Sequence, residues 1–93
     1  MTEISQNNNC WTVVGDINMD SANSLLEKSK GLALADDTQV DFAQVEDVDT
    51  AAVSLMLEWH RRARSENKKL AFVNVPAGLT SLTALYGVTD LVS

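Results

Sequence analysis

The residues of this chain that could carry out chemistry are few. The sequence contains one histidine, His60, and one cysteine, Cys10. No glycine-rich phosphate loop, dinucleotide fingerprint or nucleophile motif accompanies them. His60 falls among the apolar positions of a helical pattern and Cys10 begins an apolar strand pattern, so we interpret both as structural. The sequence therefore predicts no catalytic residue and no enzyme activity.

An acidic segment, Glu46 to Asp49, is the next candidate. Its carboxylates match no calcium-loop spacing, and acidic loops are usually solvated, so we expect neither a metal nor a cofactor. A small-ligand or nucleotide pocket around Asp16 and Asp49 remains a hypothesis. It is the weakest one, because the chain has no loop that could hold phosphate.

Thr50, directly after this segment, is the residue that stands out. It opens a long helical pattern, and either its own hydroxyl or the Asp49 carboxylate can cap that helix. A phosphate on Thr50 would be favoured by the helix dipole and would add roughly two negative charges to an acidic loop. The position therefore suits regulation of a partner interface.

The segment from Gln39 to Pro76 positions Thr50. We predict a strand over 39–45, the acidic loop, a helix from Thr50, and a strand over 70–75. This is a βαβ pattern, whose crossover is right-handed and whose strands are parallel. The loop at Thr50 then lies at the carboxyl end of a strand, where open α/β sheets place function.

The rest of the chain supplies further elements of the same sheet. We expect a strand over 2–5, a turn over 6–9 and a strand over 10–17, in which Gly15 marks a bulge or a close backbone approach. A helix capped by Asp20 or Ser21 follows, reaching Ala33 with an irregular turn at Gly31. After Pro76 we expect a helix over 77–86 with Gly87 as its C-cap, and a docked tail or edge strand over 88–92. The fold class is α/β: a mixed, mostly parallel sheet with an N-terminal hairpin and helices packed against it.

The helix after Thr50 has an unusually wide apolar arc. Its width is roughly 200°, more than the ~100° stripe that a sheet-packed helix needs. Either neighbouring elements cover the excess, or it forms a protein-binding surface beside the acidic loop. The arc contains Ala52, Val53, Leu55, Met56, Leu57, Trp59 and Ala63.

Charge and composition restrict the partners. The 93 residues predict a single domain, 1–93, and a net charge of −6 argues against nucleic acid. One cysteine fits a reducing compartment, and no signal peptide or membrane-spanning run is evident, so we expect a cytoplasmic protein. Basic residues complement the end of the long helix or, as an alternative, contact anionic lipid. They are Arg61, Arg62, Arg64, Lys68 and Lys69.

The whole pattern resembles the STAS domain (sulfate transporter and anti-sigma factor antagonist). The resemblance rests on Val-Asp-Thr-Ala-Ala-Val at 48–53, Leu-Ala-Phe-Val-Asn-Val-Pro at 70–76, Gly-Asp-Ile at 15–17 and Leu-Tyr-Gly-Val at 85–88. The small size, the Asp49-Thr50 pair and the last motif make it most similar to the MlaB type. Ala52 stands where anti-sigma factor antagonists commonly have glycine.

The resemblance implies a non-catalytic accessory subunit. Such a subunit binds the cytoplasmic ATPase of a phospholipid ABC transporter and supports its assembly and activity, at the inner membrane through its partner. The alternative is an anti-sigma factor antagonist, which a partner kinase phosphorylates at the hydroxyl matching Thr50. The expected partner-binding residues are Asp49, Thr50, Ala51, Val53, Ser54, Leu55, Leu57, Glu58 and Trp59.

Overall fold

The computed structural model describes residues 2–88. Their strands form one sheet in the order β1-β2-β3-β4. Strand β1 is antiparallel to β2, whereas β2 with β3 and β3 with β4 are parallel, which confirms the mixed α/β class. The elements are β1 (Glu3–Asn7), β2 (Cys10–Ile17), α1 (Met19–Ser29), β3 (Asp37–Val48), α2 (Thr50–Ser65), β4 (Lys69–Val73) and α3 (Ala77–Leu85).

The two βαβ crossovers place the helices on one face of the sheet. β2-α1-β3 and β3-α2-β4 step across the sheet in the same direction, so crossovers of one hand bring both helices to the same side. Central strand β3 shows the result: Val40 and Phe42 are buried, whereas Gln39 and Ala43 on the opposite face are exposed. α2 lies between α1 and α3 and contacts both.

The core is built around aromatic pairs. Trp11 and Trp59 meet edge to face with ring centroids 5.8 Å apart, and Phe42 stacks on Phe72 at 5.7 Å. The Trp59 indole Nε1–H donates a buried hydrogen bond to Ser29 Oγ at 2.8 Å. Fully burying an apolar side chain contributes about 1.5–3 kcal/mol, so Trp59 fixes α2 on the sheet, while the Phe42–Phe72 pair joins β3 to β4. The remaining buried apolar residues are Val13, Ile17, Leu25, Leu34, Val40, Val45, Ala52, Val53, Leu55, Met56, Ala63 and Leu79.

Arg62 joins α2 to the end of α1. Its guanidinium donates to the carbonyl oxygens of Ser29 and Leu32, at 2.9 and 2.7 Å, and lies 5.7 Å from the centre of the Trp11 ring. From the sequence alone, Arg62 is predicted only to complement the end of its own helix or, as an alternative, to contact anionic lipid. The structure keeps Arg62 in the last turn of α2 and adds a second role, because its guanidinium satisfies carbonyls at and beyond the C-terminus of the neighbouring helix.

Two predicted boundaries in the first third of the chain are wrong. Strand β1 continues to Asn7, and the hairpin turn is only Asn8 and Asn9, with Asn8 at a φ of 57°. Asn18, not Asp20 or Ser21, is the N-cap of α1: its Oδ1 accepts from both of their backbone N–H groups, while Ser21 Oγ accepts from the Asn18 N–H. This is a capping box with serine at the third helical position.

The predictions for Gly15 and Gly87 agree with the structure. Gly15 has a φ of 102° between two register shifts of the β2–β3 pairing, which confirms the predicted irregularity. Gly87 has a φ of 71° directly after the C-cap of α3. The prediction that helix α1 reaches Ala33 is wrong: the helix ends at Ser29, and Gly31 lies in the turn that follows it. Apart from Val88, the predicted tail over 88–92 lies outside the described residues.

The predicted acidic loop is wrong. β3 extends through Glu46 and Asp47 to Val48, because the pairing with β2 continues to Ile17. The Asp47 backbone N–H also donates to Asp16 Oδ1 at 3.1 Å. Only Asp49 separates the strand from α2. β4 is shorter than predicted and ends at Val73.

Candidate functional site

The candidate site lies at the carboxyl ends of β2 and β3. Ile17 and Val48 are the last residues of β2 and β3 and pair with each other. After each strand, a single residue precedes the next helix. Both helix N-termini, with Asn18 and Asp49 as caps, therefore lie at this edge of the sheet. It is the edge at which open α/β folds place their binding sites.

Asp49 caps α2, which decides between the two predicted caps. Its Oδ1 accepts from the Ala51 N–H at 2.8 Å. Thr50 is the first helical residue and is exposed. Among residues 2–88, no hydrogen bond involves its hydroxyl, so the group is free to contact a partner or a modifying enzyme.

Two grooves meet at Thr50. The α1 groove, of about 320 Å³, lies between α1 and α2. The C-terminal groove, of about 450 Å³, lies between α2 and the end of α3. Thr50 and Ser54 line both grooves, and we call these two residues the ridge. The α1 groove is also lined by Met19, Ala22, Asn23, Leu26, Ala51, Leu55 and Glu58. The C-terminal groove is also lined by Val53, Leu57, Tyr86 and Val88.

The structure separates the predicted partner-binding residues into two sets. Three of them, Val53, Leu55 and Trp59, are buried, so their side chains cannot project into a partner as expected. Val53 and Leu55 form groove floors, whereas Trp59 is 1% exposed and belongs to the core. The wide apolar arc is thus covered largely by neighbouring elements. The residues that stay accessible are Asp49, Thr50, Ala51, Ser54, Leu57 and Glu58.

Sequence reasoning missed the outer walls of the grooves. Met19 is 77% exposed at the start of α1, and Tyr86 is 56% exposed at the end of α3. Exposed large apolar side chains beside a groove are typical of interaction surfaces. The motif Leu-Tyr-Gly-Val was noted only as a resemblance. For Met19, no local signal was available, because its position follows from how α1 packs beside α2.

Charge is strongly divided between the two ends of the sheet. All seven basic residues lie near the ends of α1 and α2 or at the start of β4, toward the opposite end of the strands from the ridge, although Arg61 reaches the groove residue Glu58. There, Lys68 Nζ is 2.7 Å from Asp36 Oδ1, and this contact lowers the pKa of Asp36 and raises that of Lys68. The ridge edge carries instead Asp16, Asp20, Glu46, Asp47 and Asp49.

The carboxylates at the ridge edge form no evident ligand pocket. Asp16 accepts from the Asp47 N–H and Asp49 from the Ala51 N–H. Neither carboxylate lines either groove, so the small-ligand hypothesis gains no support. Within residues 2–88, no group of three or more His, Cys, Asp or Glu side chains is arranged to hold a metal ion.

Comparison with known proteins identifies the family. A family model described as "Mlab, STAS domain" matches residues 2–93. This chain belongs to the STAS family, in its MlaB type. No curated protein sequence matches it.

Two solved structures share the fold of this chain. The anti-sigma factor antagonist SpoIIAA in its unphosphorylated form has a TM-score of 0.77 and 10% identity, over 100% of this chain and 86% of that chain. A structure titled "Crystal Structure Analysis of Mglu" has a TM-score of 0.60 and 15% identity, over 81% of this chain and 20% of that one. At these identities the likeness shows the fold alone. No helix in the described part of this STAS domain has the length and apolarity needed to cross a membrane.

Proposed function

We propose that this STAS domain is a non-catalytic accessory subunit that binds the cytoplasmic ATPase of a phospholipid ABC transporter and supports its assembly and activity. The choice of partner rests on the match to the MlaB type. The binding surface rests on one observation: the ridge of Thr50 and Ser54 is exposed between two grooves with apolar walls. Through this partner the chain would lie at the inner membrane.

Several features make the ridge suitable for binding. Its two hydroxyls are one helical turn apart on α2, so a partner meets both at once. The helix beneath is held by Asp49, Trp59 and Arg62, so little ordering entropy is lost on association. Met19 and Tyr86 offer apolar contact area at the two outer walls.

The test is co-purification of the chain with the ABC ATPase and permease from its own organism. Thr50→Glu puts a larger, charged side chain between the two apolar grooves, where a closely packed partner would have to desolvate it, and should weaken association at least tenfold, on the order of 1.4 kcal/mol, with little change in thermal midpoint. Ser5→Glu is the matched control, because Ser5 is exposed on β1 away from the helical layer. Equal retention of the ATPase by both variants would refute the assignment of the surface.

A second candidate is an anti-sigma factor antagonist regulated by phosphorylation. The free, exposed Thr50 hydroxyl supports it, and the fold matches that of SpoIIAA, which carries this description. If it holds, incubation with cellular kinase and ATP will place phosphate on Thr50, and the chain will release a kinase-like partner. Recovery of an ABC ATPase without phosphate on Thr50 would exclude it in favour of the transporter subunit.

A further inference from the structure

We infer that the partner segment bound at the ridge is basic as well as apolar: a stretch of protein whose apolar side chains enter the grooves while its Lys or Arg side chains face the acidic strand ends. This inference rests on the proposed function, since it specifies the partner's chemistry at the same surface.

The grooves supply the apolar half of this recognition. Leu26 and Leu55 line the α1 groove, and Val53 and Leu57 line the C-terminal groove. Both grooves open beside the ridge, so one segment lying across it can place an apolar side chain in each. Anchors of this kind in pockets carry a large share of the binding energy at protein interfaces.

The acidic residues around the grooves are the reason to expect basic side chains in the partner. Asp49 directly precedes the ridge, Asp20 lies one turn from the groove residue Asn23, and Asp47 lies at the end of β3. Among residues 2–88, no lysine or arginine lines either groove. The nearest cation to the groove lining is in the Arg61–Glu58 ion pair, at 2.7 Å, and it neutralises Glu58 at the far end of the α1 groove.

The helix dipoles do not reverse this field. Two helix N-termini contribute together about one positive charge, whereas five carboxylates lie at the same edge. Nucleic acid and anionic lipid are repelled by such a surface. A basic protein segment is attracted to it and oriented by it.

The experiment uses the full chain, labelled with ¹⁵N, and two synthetic amphipathic helical peptides. Both peptides carry Leu and Phe on one face; the other face carries Lys in one peptide and Glu in the other. The lysine peptide should shift the amide signals of Met19, Thr50, Ser54 and Tyr86, and the glutamate peptide should not. Equal binding of both peptides, or shifts centred away from these residues, would overturn the inference.

A matched pair of variants tests the charge itself. Asp37 and Asp47 are both exposed and lie at opposite ends of the same strand, β3. Asp47→Lys should weaken binding of the lysine peptide at least about fivefold more than Asp37→Lys, and raised salt should remove the difference. Asp20→Lys serves as a second variant in case Asp47→Lys perturbs the strand end. Equal affinities of the Asp37, Asp47 and Asp20 variants would refute the role of these carboxylates.

The same variants separate this inference from the proposed function. If the ATPase binds but Asp47→Lys and Asp37→Lys retain it equally at low and high salt, the basic segment is wrong and the transporter assignment stands. If the lysine peptide binds at the ridge but the ATPase does not bind, the basic segment stands and the ATPase is the wrong partner.

Discussion

Arg62 should be far more important to stability than the arginines beside it. In Arg62→Met the aliphatic stem remains, but the hydrogen bonds to the Ser29 and Leu32 carbonyls and the contact with the Trp11 ring are lost, together with the ion pair to Glu66 at the helix end. The exposed Arg64, in the same last turn of α2, provides the comparison. If these arginines acted only on the dipole of their own helix, both substitutions would have the same small effect.

The structure gives a magnitude for the difference. A hydrogen bond from a charged donor contributes about 1.5–3 kcal/mol to stability. We use the lower value, because water can reach the two carbonyl oxygens once the guanidinium is removed. With two such bonds, a partly exposed cation–π contact of about 0.5 kcal/mol and a small term from the partly exposed Arg62–Glu66 ion pair, Arg62→Met should lower the free energy of unfolding by about 3–4 kcal/mol. For a domain of this size, that corresponds to a fall of roughly 15 °C in thermal midpoint. Arg64→Met removes only a dipole interaction of about 0.5 kcal/mol.

Urea unfolding followed by far-ultraviolet circular dichroism measures both variants. The slope of free energy against urea should be the same in the two, since the surface exposed on unfolding is unchanged. Midpoints that differ by less than the error of the fit would show that Arg62 does not hold α1 against α2. The α1 groove would then need another explanation for its shape.

Three further predictions concern the elements around the site. Asp49→Ala should cost about 1 kcal/mol in urea unfolding through loss of the cap, whereas Thr50→Ala should cost almost nothing; the reverse order would make Thr50 the cap. Ser29→Ala leaves the buried Trp59 N–H without a partner and should cost about 2 kcal/mol, and a thermal midpoint equal to that of the unchanged chain would contradict this. The Asp36–Lys68 contact lowers the pKa of Asp36, so its stabilisation is present above the ordinary value of 3.8 and is lost as pH falls through the lower folded-state pKa. The contact also raises the pKa of Lys68, so its stabilisation is full below pH 10.5 and is lost as pH rises through the higher folded-state pKa. The loss of stability in Asp36→Asn should therefore vanish at both extremes of pH. A loss that does not depend on pH would show that the Asp36–Lys68 contact is not its cause.

The part of the fold that the sequence predicts well is the βαβ unit around Thr50. The alternation of Val40 and Phe42, the long helix and the apolar strand before Pro76 are local periodic patterns, and their order determines a parallel pairing. The irregularity at Gly15 and the left-handed C-cap at Gly87 were also accessible, because glycine within a strand or after a helix marks such positions.

The errors arise where tertiary pairing outweighs local preference. Glu46 and Asp47 are poor strand formers, yet β2 continues beside them and Asp16 accepts from the Asp47 N–H. The helical projection of α2 gave its apolar width correctly but could not say which residues α1 and α3 would cover. Arg62 likewise looked like its neighbours, because its acceptors belong to an element about 30 residues away in sequence.

The most direct test of the central claim, that the ridge is the partner-binding surface, is site-specific photocrosslinking in the assembled transporter. A photoreactive residue replaces Ser54 on the ridge or, as the control, Ala71, which is exposed on β4. If the ridge binds the partner, the ATPase should be crosslinked from position 54 and not from position 71. A crosslink from position 71 alone, or equal yields from both, would contradict it and move the interface away from Thr50.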